Sequence, residues 1–293
     1  MGKPGVVASN RERHSYRSLA GARPCGMVRL GKRPGTGWRY ESVTSVGEPS
    51  DAVTLFRPDA GVHVRLWPDG VLTALRPDFL ATRFARAVRR RRLPDFPRAQ
   101  FLGAVERLAH HCRPLLRDPE SAIYLCPDMT AENGPRRWVF QLSAYLLPSA
   151  FATGFAPLYL RWDAGMLPHG LHLCWVDAAQ AHLVLAPVAS DDVSVLARAS
   201  VASLAPRWGL RVRARQLSVA QWYRLNQQGR VSEAFVCGGP ALVQQVGRIG
   251  LGDQSQPVGS GQPGPTVIAV RRHLFRLQQG QAADPNRWML PLR

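Results

Sequence analysis

The sequence predicts a globular protein of the α/β (α+β) class that is organised in two halves. Hydrophobic residues make up 45% of the chain and charged residues 20%, which is the composition of a folded protein and not of a disordered one. The 293 residues fill one large domain or two modest ones. Strand-like segments alternate with helical apolar stripes in both halves. No apolar run is long enough to span a membrane, so we expect a soluble chain.

The first half is predicted to be a small α+β unit with helices on one face of a sheet. The turn Pro68-Asp69-Gly70 joins two apolar segments and predicts a β-hairpin. Pro77 opens a helix in which Leu80, Phe84 and Val88 fall on one face. A second helix is predicted over 98–111. The predicted strands are 51–55, 62–67, 71–75, 123–125, 138–147 and 157–162.

The second half is predicted to alternate short strands with three helices. Ser218 is the expected N-cap of the middle helix, which ends at Gln228-Gly229. The closing helix ends at Gly280, a residue type favoured just after a helix. The segment 252–265, rich in Gly, Ser, Gln and Pro, is predicted to be a loop. The strands are 171–176, 182–187, 210–214, 234–237 and 244–249, and the other two helices are 193–208 and 266–279.

The charge is strongly positive, and arginine supplies nearly all of it. The chain has 38 basic and 20 acidic residues, a net charge of +18, and its only lysines are Lys3 and Lys32. Such a bias suits phosphate or nucleic acid, because guanidinium groups match phosphate oxygens. However, the arginines are scattered, and no aromatic residues interleave with the run from Arg86 to Arg92. We interpret that run as a solvated helix face, and nucleic-acid binding as a hypothesis that rests on charge alone.

The cysteines and the first 40 residues bear on the cellular location. Five cysteines are widely spaced without a C-x-x-C pair, which argues against a disulfide framework and favours a reducing, cytoplasmic location. The pair His110-His111 has no third ligand at metal spacing, so no metal site is predicted. Residues 1–40 hold one acid, Glu12, and no apolar signal region. We expect a disordered basic leader there, with a mitochondrial transit peptide as the alternative.

The segment from Val231 to Ile249 carries the strongest local signal. A predicted strand ends in Gly238-Gly239, and free backbone N–H groups at such a turn can face a phosphate or carboxylate. Cys237 precedes the glycines, but no histidine lies nearby in the sequence, so we interpret it as a small buried residue. Paired glycines also form ordinary turns, so this signal alone is weak.

The same segment resembles the signature E-x-F-x-x-G-T-A-A of the branched-chain amino-acid aminotransferases, which are fold-type IV pyridoxal-phosphate enzymes. Further matches follow in the family's order between residues 51 and 289, at Trp67-Pro-Asp-Gly70, Leu75-Arg-Pro-Asp78, Tyr124-Leu125, Trp175-Val-Asp177 and Leu277-Gln-Gln-Gly280. The resemblance implies a two-lobed fold-type IV aminotransferase-like architecture with a truncated second lobe. The lobes would span 41–150 and 151–293. It also implies pyridoxal phosphate as cofactor, and a homodimer or pairing with an active family member.

Several positions match residues of the family's site. Arg83 matches the phosphate-binding arginine, and Arg198 and Ser200 keep two residues of the family's G-I-T-R-x-S. By this resemblance the cofactor-binding residues are Arg83, Arg198, Gly238 and Gly239, and the substrate-side residues are Tyr124 and Ala241. A phosphate-bearing small molecule is therefore an expected ligand.

Other positions depart from the family in ways that matter chemically. The family's Schiff-base lysine precedes its W-L-D strand, but residues 161–170 contain no lysine, and none occurs after Lys32. Arginine cannot replace it, because a guanidinium stays protonated and is no amine nucleophile. Residues 178–189 contain no acid to pair with the pyridine nitrogen, and Pro240 removes one N–H donor from the turn.

These departures predict a catalytically inactive aminotransferase-like protein, with no catalytic residue and no covalently attached pyridoxal phosphate. The alternative is an active pyridoxal-phosphate-dependent transaminase of branched-chain amino acids with 2-oxoglutarate. In that case Lys3 or Lys32 would have to enter the site from the leader. An unanchored segment is disfavoured in such a role, because it loses the preorganisation that catalysis by proximity needs.

Overall fold

Two β-sheets and five α-helices make up the described part of the chain, which in this computed structural model is residues 22–44, 53–56, 60–132, 137–147, 158–161, 172–187, 195–251 and 253–293. This mixed architecture confirms the predicted α/β class. No helix within these ranges is both long enough and apolar enough to cross a membrane.

The first sheet has eight strands, all in antiparallel pairs. Its order is β15-β5-β4-β6-β7-β1-β2, and β3 pairs with β6. The strands are β1 (Arg23–Lys32), β2 (Arg39–Thr44), β3 (Val53–Phe56), β4 (Val62–Leu66), β5 (Leu72–Leu75), β6 (Ala122–Glu132), β7 (Arg137–Leu147) and β15 (Met289–Pro291). The last strand comes from the C-terminus, so the first lobe also contains the end of the chain.

The hairpin and the two helices of the first half are confirmed. Gly70 N–H donates to the Trp67 carbonyl over 2.9 Å, and its φ of +82° is one that glycine adopts at no steric cost. Helix α1 (Pro77–Arg90) and helix α2 (Arg98–Cys112) follow. The predicted apolar stripe on α1 is fully buried, and this burial fixes the helix against the sheet.

The structure differs from the predicted leader at its C-terminal end. Residues 23–40, expected to belong to a disordered leader, form β1 and the start of β2. Strand β1 lies between β2 and β7, and Val28 and Leu30 are fully buried. Cross-strand pairing on both sides thus outweighs the Arg- and Gly-rich local sequence. Residues 1–21 lie outside the described residues.

The second sheet has seven strands and mixed pairing. Its order is β11-β10-β9-β12-β13-β14, with β8 beside β13, and the pairs β10–β11 and β8–β13 are parallel. The strands are β8 (Leu158–Arg161), β9 (His172–Asp177), β10 (His182–Leu185), β11 (Arg211–Ala214), β12 (Val231–Cys237), β13 (Val243–Leu251) and β14 (Gln254–Pro257). The prediction of a loop over 252–265 is therefore wrong for residues 254–257, which pair with β13.

Three helices accompany the second sheet: α3 (Leu196–Leu204), α4 (Val219–Gln227) and α5 (Pro265–Gln278). The predicted cap of α4 is confirmed, since Ser218 Oγ accepts from the Gln221 amide while the Gln221 side chain accepts from the Ser218 amide. Helix α5 also reaches the first sheet, because Trp67 Nε1 donates to the Gln278 carbonyl over 2.9 Å. One apolar cluster runs through both lobes, and their junction positions the candidate site.

Candidate functional site

The glycine turn between β12 and β13 lies at the junction of the lobes. Gly238 and Gly239 have φ angles of +132° and +63°, and Leu242 has +57°. The Gly238 amide donates to the Leu242 carbonyl over 2.9 Å, and the Leu242 amide donates to the Gly239 carbonyl over 3.2 Å. These hydrogen bonds close the turn on itself, with a left-handed backbone that glycine adopts readily.

Closure of the turn limits the anion cradle that the sequence predicts. The amide of Gly238 is already used within the turn, and Pro240 has no amide proton. The amides of Gly239 and Ala241 donate to no backbone carbonyl within the described ranges. The turn therefore offers two backbone donors to an anion, and Ala241 becomes a donor candidate in place of Gly238.

Tyr124 and His63 bring the first sheet against this turn. His63 on β4 pairs in register with Tyr124 on β6, and their ring centroids lie 4.9 Å apart. His63 Nε2 lies 3.4 Å from the carbonyl oxygen of Gly239. The structure thus unites predicted residues of both lobes, Tyr124 and Gly239, and adds His63, which the sequence analysis did not identify.

The environment of His63 holds its imidazole neutral. Burial and, to a lesser extent, the nearby Arg65 guanidinium lower its pKa, and the hydrogen bond to Gly239 acts in the opposite direction; the resulting pKa is about 3. A neutral imidazole can donate Nε2–H to the Gly239 carbonyl. His63 therefore links the two lobes through a neutral hydrogen bond and adds no positive charge for an anion.

Arg198 lies at the base of the turn, but its guanidinium already has a partner. It extends from α3, and its Nη2 donates to the Ala186 carbonyl over 2.9 Å. Burial raises the pKa of the thiol of Cys237, which immediately precedes the glycines, and the neighbouring Cys174 thiol raises it further. The charge of Arg198 lowers the same pKa, but by less. Cys237 is fully buried, which agrees with its interpretation as a small core residue.

Arg83 is partly exposed on α1, and its guanidinium lies 5.9 Å from the Phe79 ring centroid, one turn earlier on the same helix. Its convergence with the glycine turn stays a prediction.

At the start of this helix, Arg76 makes a direct link between the lobes. Arg76 Nη1 donates to Ser200 Oγ on α3 over 3.3 Å, and its guanidinium lies 5.1 Å from the Trp288 ring centroid.

A small cavity of about 30 Å³ adjoins the turn. Its volume suits one or two water molecules. Two arginines of the wall are buried enough that desolvation lowers the pKa of each to about 10. The wall is formed by β4, the turn and α5, through His63, Arg65, Pro240, Ala241, Arg271 and Gln278.

No group of three or more His, Cys, Asp or Glu side chains arranged to hold a metal ion occurs among the residues that the structure describes. His110, of the histidine pair at the end of α2, has its Nε2 3.0 Å from a carbonyl oxygen of Arg293. His110 is therefore engaged with Arg293.

Lys32 lies far from the junction of the lobes. Lys32 ends β1, where it pairs with Trp138 and lies 6.0 Å from the Trp38 ring centroid. Across the sheet, His63 pairs with Tyr124, Tyr124 pairs with Tyr145, and Tyr145 pairs with Pro24 of β1. Pro24 is therefore level with His63, and it lies at the opposite end of β1 from Lys32. At about 3.3 Å per residue, Lys32 lies roughly 25 Å along β1 from Pro24. Lys3 lies outside the described residues.

Two carboxylates on β9 and β12, Asp177 and Glu233, lie toward the ends of these strands that are away from the turn. Asp177, at the end of β9, accepts a hydrogen bond from Arg230 over 2.7 Å. Glu233 on β12 accepts from the Thr266 and Val267 amides, each over 3.0 Å, at the start of α5. Both carboxylates therefore have protein partners at a distance from the turn.

The chain is similar in sequence to curated branched-chain-amino-acid aminotransferases. It is 24% identical to that of Mycobacterium tuberculosis, over 91% of this chain and 89% of the relative, and 23% identical to that of Mycolicibacterium smegmatis over the same shares. The first alignment has 329 positions, more than the 293 residues of this chain, so the relative carries segments that this chain lacks. No protein-family model matches the sequence.

Solved structures share the fold over most of the chain. The pyridoxal-phosphate form of the branched-chain amino acid aminotransferase from Thermobaculum terrenum has a TM-score of 0.67 and 15% identity, over 92% of this chain and 99% of that chain. The Escherichia coli enzyme has a TM-score of 0.62 and 14% identity, over 80% and 89%. The chain thus has the fold-type IV aminotransferase fold and is a relative of the branched-chain-amino-acid aminotransferases.

Proposed function

We propose that this protein is a branched-chain amino-acid aminotransferase-like protein that does not catalyse transamination. The observation that carries the proposal is the position of Lys32. Transamination on pyridoxal phosphate needs an amine that attaches the cofactor and moves the proton. Lys32 lies at the far end of β1, and the sequence offers no lysine between residue 33 and the C-terminus.

The chain's own residues support a binding role in place of catalysis. The Gly239 and Ala241 amides are open donors at the junction, whereas Arg198 and Gly238 already have protein partners. Two amides with one added guanidinium, from Arg83, would form a weak site for a phosphate group. We therefore propose a phosphate-bearing small molecule as ligand, with pyridoxal phosphate as the candidate that the relatives suggest, bound without covalent attachment.

The partner and the cellular location are part of the same proposal. The retained fold supports a homodimer or pairing with an active aminotransferase. All five cysteines are free, which supports a cytoplasmic location, with a mitochondrial one as the alternative. Light scattering measures the mass of the protein alone and after mixing with an active relative. A protein that stays monomeric in both samples would contradict this part of the proposal.

A coupled assay with leucine and 2-oxoglutarate, in the presence of excess pyridoxal phosphate, tests the missing activity. We expect no turnover above that of a heat-denatured sample. The matched variants Lys32→Ala and Lys3→Ala identify any contribution of the two lysines. Turnover of the unaltered protein that disappears in either variant would contradict the proposal and favour an active transaminase.

A further inference from the structure

Two cysteines of the first lobe meet where β1 and β7 depart from regular pairing. Pro24 pairs with Tyr145 and Gly26 pairs with Ala144, so Cys25 is an extra residue on β1. Such a β-bulge changes the direction of a side chain relative to the sheet. Cys25 Sγ lies 3.9 Å from Sγ of Cys112, the last residue of α2.

The neighbouring glycine lets the helix come this close. A Cβ atom added at Gly26 would lie 2.9 Å from Cys112 Sγ and 3.1 Å from a methyl carbon of Leu108. A larger residue at this position would push α2 away from β1. The absence of a side chain at Gly26 is therefore part of what brings the two sulfur atoms into contact.

The two thiols differ in exposure and in acidity. Cys25 is partly exposed, whereas Cys112 is buried. The hydrogen bond between the thiols lowers the pKa of Cys25 and raises the pKa of Cys112, and burial raises the latter further. Because the thiolate is the nucleophile, Cys25 is the residue that an oxidant would reach and modify first, with Cys112 beside it as the resolving thiol.

We propose that Cys25 and Cys112 are a redox-sensitive pair that forms a reversible disulfide, with a hydroperoxide as the oxidant. The Cys25 thiolate attacks one peroxide oxygen and becomes a sulfenic acid, and the leaving hydroxide takes the thiol proton to form water. The Cys112 sulfur then attacks Cys25 Sγ, the S–O bond breaks, and the second hydroxide leaves as water with the proton of Cys112. Two thiols lose two electrons in total, and one hydrogen peroxide molecule is reduced to two water molecules.

A second pair of thiols in the chain provides a matched control. Cys174 and Cys237 lie on the adjacent strands β9 and β12 with their sulfur atoms 3.6 Å apart. Both are fully buried, and burial raises the pKa of Cys237. Contact between the sulfur atoms is thus common to the two pairs, whereas only the first pair contains a partly exposed thiol, that of Cys25. We expect the buried pair to stay reduced.

The disulfide would join β1 to α2 across 87 positions of sequence. A cross-link of that span restricts the unfolded chain. For a chain of this size, the thermal midpoint should therefore rise by roughly 5–10 °C. The rise should disappear after treatment with dithiothreitol, because thiol–disulfide exchange restores both thiols.

Mass spectrometry of the full-length folded protein after brief hydrogen peroxide treatment tests the proposal. Remaining thiols are alkylated in denaturant, and peptides are mapped without reduction. We expect the five alkylated cysteines of the untreated chain to fall to three, with the missing two in a linked Cys25–Cys112 peptide. Cys174→Ser should still form the Cys25–Cys112 link, with its four alkylated cysteines falling to two, and Cys25→Ser should abolish the link.

Peptide mapping of the unaltered protein decides the result even if a variant fails to fold. Five alkylated cysteines after peroxide treatment, a linked peptide of Cys174 and Cys237 alone, or oxidation of Cys25 without a link to Cys112 would each overturn the proposal. A Cys25–Cys112 link that dithiothreitol does not reverse would also contradict it.

Discussion

At the scale of single residues, the candidate site is notable for how many of its polar groups already have protein partners. Arg198 donates to the Ala186 carbonyl, and the Gly238 amide donates within its turn. A group held in this way must break one hydrogen bond to form another, so its net gain with a ligand is small. Arg198 and Gly238 should therefore add little to the affinity for a phosphate.

Replacement of Arg83 tests the predicted phosphate contact. A hydrogen bond to a charged group contributes about 1.5–3 kcal/mol, so Arg83→Ala should weaken phosphate or pyridoxal-phosphate binding roughly 10- to 150-fold. Isothermal titration calorimetry measures the change. Arg86→Ala is the matched control, since it removes the same charge from an exposed position of the same helix. Equal affinities of the Arg83 and Arg86 variants would contradict a role for Arg83.

His63 should make stability depend on pH below neutrality. Its pKa is lowered by burial to about 3 in the folded chain, against about 6.5 in an unfolded one. Between these values the unfolded state binds more protons, so stability is lost as the pH falls. Between pH 7 and pH 5 the free energy of unfolding should decrease by about 2 kcal/mol because of this histidine.

Urea unfolding of His63→Asn at the two pH values isolates this contribution. The variant is expected to be less stable at pH 7 but to lose about 2 kcal/mol less than the unaltered protein on acidification. His111→Asn, at an exposed position of α2, should keep the full pH dependence. Identical pH dependence in the His63 variant and the unaltered protein would show that this imidazole is not held neutral by the fold.

The sequence predicts the glycine turn of this site, but not the contact that His63 makes with it. Alternation in β4 places His63 and Arg65 on one face of a predicted strand, and the paired glycines predict a turn. The contact between His63 and Gly239 spans 176 positions, and it depends on how the lobes dock. No local pattern contains that information, so His63 was not identified.

At the scale of secondary-structure elements, predictions succeeded where the cause is local. The hairpin follows from Gly70, and the start of α4 follows from Ser218. The strands β1 and β15 were missed because they depend on pairing with distant segments. Strand β15 consists of Met289–Pro291 and pairs with β5, more than 200 positions earlier. The local strand propensity of these segments is weak, and pairing with another strand determines that they are extended.

The N-terminus of α5 should depend strongly on one buried carboxylate. Glu233 is 5% exposed and accepts two backbone hydrogen bonds, and a negative charge at a helix N-terminus is favourable. Glu233→Gln removes the charge with little change in shape. It should lower the free energy of unfolding by about 1–3 kcal/mol, as measured by chemical denaturation.

Asp253→Asn provides the control for this prediction, because it removes one negative charge from an exposed position of the same lobe. The control should change stability by less than about 0.5 kcal/mol, as surface substitutions usually do. A Glu233 variant as stable as this control would contradict the capping role. Since α5 contributes Gln278 to the contact with Arg65 of the first sheet, we also expect the Glu233 variant to loosen the lobe junction.

At the scale of the whole molecule, the fold indicates kinship with aminotransferases, whereas the lysine positions favour the proposed lack of transamination. The chain has the fold of the branched-chain amino acid aminotransferases over most of its length. Lys32 lies at the end of β1 away from the junction, and the sequence has no lysine after it. A fold by itself does not imply an activity, because function depends on the groups at the site.

The central claim is the absence of a lysine that attaches pyridoxal phosphate, and borohydride reduction followed by peptide mass mapping tests it most directly. The protein is titrated with pyridoxal phosphate while its absorbance is followed, reduced with borohydride, digested and mapped. We expect no stoichiometric adduct on Lys3 or Lys32, the only lysines of the chain. A stoichiometric adduct on one of them, lost when that lysine is changed to alanine, would contradict the account.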